Sequence, residues 1–311
     1  MEQVKSTKRR YVALGDLVAD CYYKDGKLLK IDGGSSRFNV ICNLAARGNQ
    51  TCVISACGND ILGTVALESL RIQGVDTNLV KQMDCQTKAY HLILKHGKHE
   101  SIKACPICGK RTWYDESLSN TAFSLSQLKD DDIIILDGLK DENLPILRQA
   151  HQDKVIDIGR IKRLCFLTNA EILSLLESKL EIIQLNEIVE KYLFLRFQLE
   201  NDSQLFSLLK PKLLVVTRGK EGADFITEDL MSTKRLIYCQ DEVDDTGAGD
   251  TFFSFVVQSY FDNDKIVDMP WMDATFYFAN QLTCKVVSNL GARGHLWSGY
   301  KPNSNNCICE M

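Results

Sequence analysis

The chain has 311 residues, a formal net charge of −4 and a pI near 5.8. A core of useful size fits that length, and the mild acidity argues against a nucleic-acid or membrane-surface binder, which normally carries a basic stripe. No apolar run approaches the roughly 18–20 residues of a membrane span, and the polar, basic start is not followed by an apolar signal core, so a cytoplasmic protein with a small-molecule substrate is the expectation.

The first predicted strand covers residues 11–17, and residues 20–31 form a hairpin about Lys24-Asp25-Gly26-Lys27, a D-G turn. Gly33-Gly34 introduces a helix over 38–47 that stops at Gly48, the usual glycine just past a helix end. A strand over 51–56, a helix over 60–73 and an alternating strand over 87–95 follow. Then buried strands (133–136, 155–158, 181–185, 213–217) alternate with helices (142–151, 169–176, 187–196). A hairpin over 222–239, a helix after Gly249 and a long helix over 271–289 complete the pattern, and a polar tail covers 295–311. Short apolar runs between amphipathic helices specify a mostly parallel sheet with helices on both faces. Ligands of such sheets bind beyond the carboxyl ends of the strands.

Twelve cysteines is a high count, but Cys52, Cys57, Cys165 and Cys284 each stand singly in apolar segments and read as small reduced hydrophobes. No disulfide framework is expected.

The most informative segment is Val243-Asp244-Asp245-Thr246-Gly247-Ala248-Gly249-Asp250-Thr251-Phe252. Its glycines permit a tight turn into an apolar helix whose first N–H groups lack intrahelical acceptors, which is a ready anion site. Asp250 is placed to take the proton of an attacking hydroxyl while the neighbouring amides hold the developing charge.

With Gly33-Gly34 and Asn39-Val40-Ile41-Cys42-Asn43-Leu44-Ala45-Ala46-Arg47-Gly48, this segment resembles the two signatures of the ribokinase-like (PfkB) carbohydrate and nucleoside kinases, and the resemblance runs from Tyr11 to Arg293. It implies one kinase domain with a small β-sheet lid built from about 20–31 and 87–114. It also implies ATP and Mg²⁺, room for a monovalent cation, a sugar or nucleoside as acceptor, and a homodimer paired through the lid. Carried over by position, Asp250 matches the catalytic base and Gly247, Ala248 and Gly249 the anion hole. Asp20, Gly34 and Asn39 match the residues that hold substrate hydroxyls, and Arg37 lies in the same loop. Thr217, Gly219 and Gly222 are similar to the nucleotide-supporting turn, and Asn280 belongs to the helix expected beside adenine. Phe38 and Trp113 are candidates to stack on a base. Asp16 remains a strand-end carboxylate of open role.

The sequence departs from that pattern in three places. Asp245 adds a charge beside the turn, to hold Mg²⁺ through water or to cap the turn. The spacing from Gly33 to Asn39 is one residue longer than usual. Asn186-Glu187-Ile188-Val189 is similar to an N-x-x-E magnesium motif but ends in Val189, leaving Glu187 or Glu190 as replacement carboxylates.

Cys105-Pro106-Ile107-Cys108-Gly109 has the form of a zinc knuckle, which is foreign to that family. Tetrahedral Zn²⁺ needs two more ligands: the tail pair Cys307 and Cys309, which we favour, or His96 and His99. The altered magnesium motif motivates a second reading of the whole chain, a catalytically impaired sugar- or nucleotide-binding protein that uses the zinc-pinned lid as a partner surface.

Overall fold

The computed structural model describes residues 9–95, 98–113, 124–139, 143–162, 164–176, 180–234, 239–302, 307 and 309. His96, the start of the expected helix at Glu142 and tail residues 303–306 lie outside the described residues. The strands are β1 (Arg10–Asp16), β2 (Ala19–Lys24), β3 (Lys27–Gly33), β4 (Gln50–Gly58), β5 (Asp76–Met83), β6 (Ala89–Lys95), β7 (Lys98–Ile102), β8 (Ile133–Asp137), β9 (Asp153–Ile158), β10 (Leu180–Asn186), β11 (Leu213–Thr217), β12 (Ala223–Ile226) and β13 (Met231–Lys234). The helices are α1 (Ser36–Ala46), α2 (Ile61–Arg71), α3 (Leu144–Gln149), α4 (Asn169–Leu176), α5 (Glu187–Phe197), α6 (Asp202–Leu209), α7 (Ala248–Asp262) and α8 (Met269–Val287).

Nine strands form one sheet in the order β13-β12-β11-β10-β9-β8-β1-β4-β5. Every pairing from β11 to β5 is parallel, and β12 and β13 add an antiparallel edge. The central strands carry buried apolar runs, as in Ile133-Ile134-Ile135-Leu136, because helices cover both faces. One face packs on α1, α7 and α8 through Phe38, Ile41, Phe253, Val257 and Tyr260, and the other on the helices between β8 and β11 through Leu147, Ile172, Leu193 and Leu205. This is the ribokinase-like layout that the sequence predicts.

A smaller sheet has the order β3-β2-β6-β7, with β2 and β6 parallel. Its own core is slight, consisting of Ala19, Cys21, Tyr23, Ile31 and Ala89 against Leu62 and Val65 of α2. The tail reaches the free edge of β3, where Ile31 and Tyr300 exchange two backbone hydrogen bonds of 2.8 Å.

β5 and α6 fall outside the predicted elements. β5 is an edge strand, half exposed along much of its length, and so lacks an apolar run. Two cysteine expectations are also overturned. Cys284 is bonded to Cys239, because the chain after β13 lies against α8 and brings the two Cα atoms to 5.1 Å. Cys165 is exposed, on a short helical turn whose Leu164 alone faces the core.

Candidate active site

Helix α7 begins at Gly247, which has φ 81°. A Cβ there would meet the Cβ of Ala292 at 2.5 Å as well as adopt a disfavoured backbone, so this position requires glycine on two grounds. The Ala248 amide closes the preceding turn onto Asp245 O at 3.2 Å. That leaves the first-turn N–H groups of Gly249 and Asp250, which have no acceptor within the helix, as the donors that the turn presents. A Cβ on Gly249 would meet nothing within 4 Å, so the backbone here is open to a bound group.

Packing of α1 on α7 brings the two separated motifs together at Asp250. Asn39 Nδ2 donates to Asp250 Oδ2 at 2.7 Å, and Ser36 Oγ donates to Oδ1. Burial raises the Asp250 pKa, and these two hydrogen bonds pull it partway back. Asn39 is itself oriented by Arg293, which donates to its Oδ1 at 2.9 Å, to Ser69 Oγ at 2.7 Å and to Gly34 O at 3.2 Å. Arg293 is wholly buried, so this cation acts from inside the protein.

Asp20, on β2, is buried directly over Gly34, whose hypothetical Cβ would meet Asp20 Oδ1 at 2.3 Å. Only glycine lets the two segments approach so closely. Burial pushes the Asp20 carboxyl up to about 7, against the opposing pull of Arg293. Arg37 lies deeper: it pairs with Asp137 at 3.2 Å and donates to Leu14 O, with a guanidinium only 2% exposed. Asp16 pairs with Lys88 at 2.6 Å. Of the two stacking candidates, Phe38 is a fully buried core residue, which overturns that expectation because its ring packs between α1 and the sheet. Trp113 stands against Tyr90 with ring centroids 4.2 Å apart, and Lys103 Nζ lies 4.8 Å from its ring.

In the turn after β11, Gly219 and Gly222 adopt φ 53° and 106°, and Arg218 N donates to Gly222 O at 2.8 Å. Thr217 ends β11, and its hydroxyl donates to Leu185 O at 3.3 Å. Asn280 of α8 is completely buried, and among the described residues neither its Oδ1 nor its Nδ2 has a hydrogen-bond partner. A buried amide with no partner is costly, so it marks a place where a polar ligand group fits. Thr251 Oγ1 and Gln184 Oε1 are buried and unpartnered in the same way.

The N-x-x-E region is differently organised from the sequence expectation. Asn186 is the N-cap of α5, accepting from Val189 N at 3.0 Å and donating to Gly159 O at 2.8 Å. Glu190 is buried in a two-pronged pair with Arg218, at 2.6 and 2.7 Å, and Arg218 also holds Asp224. Glu187 pairs with Lys191 at 3.1 Å on the surface. Both carboxylates therefore neutralise protein cations. A carboxylate close to Asp250 is that of Asp157, near the carboxyl end of β9. Ser36 Oγ lies 3.4 Å from it, and Gln184 Nε2 donates to it at 3.2 Å. Burial, and then the neighbouring Asp250 charge, push Asp157 up to about 7.

Four site residues escaped the sequence reading: Ser36, Asp157, Arg293 and His99. Asp157 was discoverable, being a carboxylate that follows the apolar pair Val155-Ile156 at the carboxyl end of a parallel strand. His99, weighed only as a zinc ligand, lies instead on the 244–250 turn. Its Nδ1 is 2.9 Å from Thr246 Oγ1 and 3.4 Å from Asp245 Oδ1, and hydrogen bonds to Asp244 and Asp245 raise it to about 9. Cys105, Cys108, Cys307 and Cys309 converge, each offering a sulfur within 4.8 Å of the others.

A glycine turn at a helix N-terminus with a carboxylate in its first turn is an arrangement suited to phosphoryl transfer. Residues 24–298 match the pfkB family carbohydrate kinase model, and the chain belongs to that family. It is 25% identical over 244 residues to an ATP-dependent 6-phosphofructokinase of Thermoanaerobacterium thermosaccharolyticum, covering 71% of this chain and 70% of the relative. Among solved structures it resembles a fructokinase with bound ATP from Xylella fastidiosa (TM-score 0.73, 15% identity, 93% of this chain and 95% of that one). It also resembles a Burkholderia thailandensis nucleoside kinase in complex with inosine (TM-score 0.72, 15% identity, 92% and 93%). The protein is thus a carbohydrate or nucleoside kinase of ribokinase-like fold, and its family implies ATP and, as a rule, Mg²⁺. Among the described residues no helix is long and apolar enough to cross a membrane.

Proposed function

We propose that the protein transfers the γ-phosphoryl group of ATP to a hydroxymethyl group on a sugar or nucleoside, with Asp250 as general base. The observation that carries this reading is the placement of Asp250: its two carboxylate oxygens are fixed by Ser36 and Asn39. The same carboxylate sits in the first turn of α7, beside free backbone donors.

Asp20 accepts from acceptor hydroxyls, and its closeness to Gly34 fixes where they lie. Arg293 holds Asn39 in register, so one buried cation orients both the base and the acceptor loop. Tyr90, paired with Asp20 across β2 and β6, and the adjoining Trp113 form an aromatic wall for a ring-bearing acceptor. In the transfer, Asp250 takes the hydroxyl proton as the oxygen attacks, while the Gly249 and Asp250 amides face the charge spread over the transferred group.

ATP fits the turn at Gly219 and Gly222, the start of α7 and the unpartnered Asn280. Asp157 fits the role of magnesium carboxylate in place of Glu187 and Glu190, because it shares Ser36 with Asp250, whose neighbouring charge raises the Asp157 carboxyl, and a cation relieves that repulsion. Bound Mg²⁺ would neutralise phosphate charge. Neither the lid cysteines nor an ion held by them takes part in the transfer.

The direct test is ADP release measured over a panel of pentoses, hexoses, sugar phosphates and nucleosides. Turnover with at least one acceptor is the expected result. Acceptor binding without ADP release from any of them would instead establish the impaired binder that the family match disfavours.

A further inference from the structure

The four cysteines serve no step of the transfer, yet residues about two hundred positions apart in sequence converge on one point. Cys105 Sγ lies 3.4 Å from Cys307 Sγ, Cys307 Sγ lies 3.1 Å from Cys108 Sγ, and all four sulfurs are mutually within 4.8 Å. In a tetrahedral Zn(Cys)₄ site, with Zn–S near 2.3 Å, the sulfurs stand about 3.8 Å apart. Two disulfides would draw the sulfurs into two bonded pairs, whereas here Cys307 is shared between Cys105 and Cys108. A four-iron cluster would hold its thiolates farther apart, because the metal core lies between them.

The local backbone is built for a single ion. Gly109 N donates to Cys105 O at 2.9 Å and Cys105 N donates to Lys110 O at 2.9 Å, and Gly109 has φ 75°, so the chain returns tightly around the first two thiols. Lys103, Lys110 and Arg111 flank the two cysteines in sequence, so the surrounding segment is positively charged, as suits four thiolates on one divalent cation.

We propose that Cys105, Cys108, Cys307 and Cys309 bind a structural Zn²⁺ that fastens the C-terminal tail across the small sheet. That sheet has a slight core, and a metal clip supplies what burial does not. The tail makes further contacts there: the Ile31–Tyr300 backbone pair, the packing of Trp297 and Cys309 on the small core, and Lys30 Nζ donating to Trp297 O at 3.5 Å. The clip therefore braces the sheet that carries Asp20 and His99, on the side that the functional proposal assigns to the acceptor. Loss of zinc should raise the KM for the acceptor more than it lowers kcat.

The test is elemental analysis of the full-length protein purified without added metal, read independently of turnover and so of the functional proposal. Stoichiometric zinc is expected in the wild type. It should be lost in a Cys307→Ser, Cys309→Ser double variant, which removes only tail thiols and leaves the sheet sequence intact, and proteolysis should then cleave the tail first. Cobalt substitution of the wild type should give the intense visible bands of a tetrahedral thiolate site. Absence of zinc from folded wild-type protein, stoichiometric iron in its place, mass evidence of disulfides among these cysteines, or full zinc retention by the double variant would each overturn the proposal.

Discussion

His99 Nδ1 stands 3.4 Å from Asp245 Oδ1, so a residue near the start of β7 is tied by charge to the turn that opens α7. The small sheet and the proposed transfer site are thus linked through a titratable contact. Burial pushes the Asp244 carboxyl up, but hydrogen bonds from His99, Thr246 and Gly291 outweigh it and hold that group below the ordinary range.

The pH dependence follows from these directions. His99 is raised from an ordinary 6.5 to about 9, so its contribution is complete below pH ~6.5 and disappears as the pH rises through about 9. Asp244 acts at the opposite end, its contribution being lost only on strong acidification. Thermal melting from pH 6.5 to 10 should therefore show a decline that His99→Gln largely removes. At pH 7 that variant should lose about 1–2 kcal/mol, the scale of a charge-assisted hydrogen bond. Identical pH profiles for the two proteins would refute the contact.

Gly247 and Gly249 should respond differently to the same change. Gly247→Ala places a Cβ against Ala292 at positive φ and should destabilise the fold by roughly 1–3 kcal/mol. Gly249→Ala meets no atom, so it should melt like the wild type and show its effect as a higher KM for ATP, on the order of tenfold. Melting curves and initial rates together separate the two, and a strongly destabilised Gly249→Ala would contradict the open backbone described above.

Asp20 illustrates the cost of preorganisation. A carboxyl raised to about 7 stabilises the fold below its unfolded value near 4 and loses that contribution as the pH rises through 7. Asp20→Asn should thus melt higher than the wild type at pH 8 while its KM for the acceptor rises roughly 10–100-fold through a weaker hydroxyl acceptor. A variant that melts lower at pH 8 would show that the charge of Asp20 is needed to hold Arg293.

Asp157→Asn tests the magnesium assignment. The Mg²⁺ concentration for half-maximal rate should rise roughly tenfold, whereas Glu190→Gln should chiefly lower stability by releasing Arg218. The reverse pattern would return the role to Glu190.

Much of this arrangement could be read from the sequence, for identifiable reasons. The apolar runs that become β1, β8, β10 and β11 have one interpretation once helices cover both faces, and the two glycine motifs announced the turns that meet at Asp250. Edge strand β5 was invisible because an edge has no continuous burial to impress on its residues. Arg293 and Ser36 were invisible as site residues for another reason: their roles exist only after α1 packs on α7 and the segment after α8 folds back beneath Gly34. Glu190 could not be told from Glu187 in sequence because first-turn acidic residues look alike, and only the fold shows its pairing with Arg218. The tail cysteines were legible because a C-x-C pair in a polar segment has little packing reason to exist.

The central claim is that the Asp250 carboxylate removes the acceptor proton, and steady-state kinetics of Asp250→Asn test it most directly. The amide keeps the shape of the side chain, so the variant should fold, bind ATP and acceptor with affinities near those of the wild type, and lose kcat by about 10²–10⁴-fold. A folded Asp250→Asn protein that retains kcat within a few-fold of the wild type would contradict it.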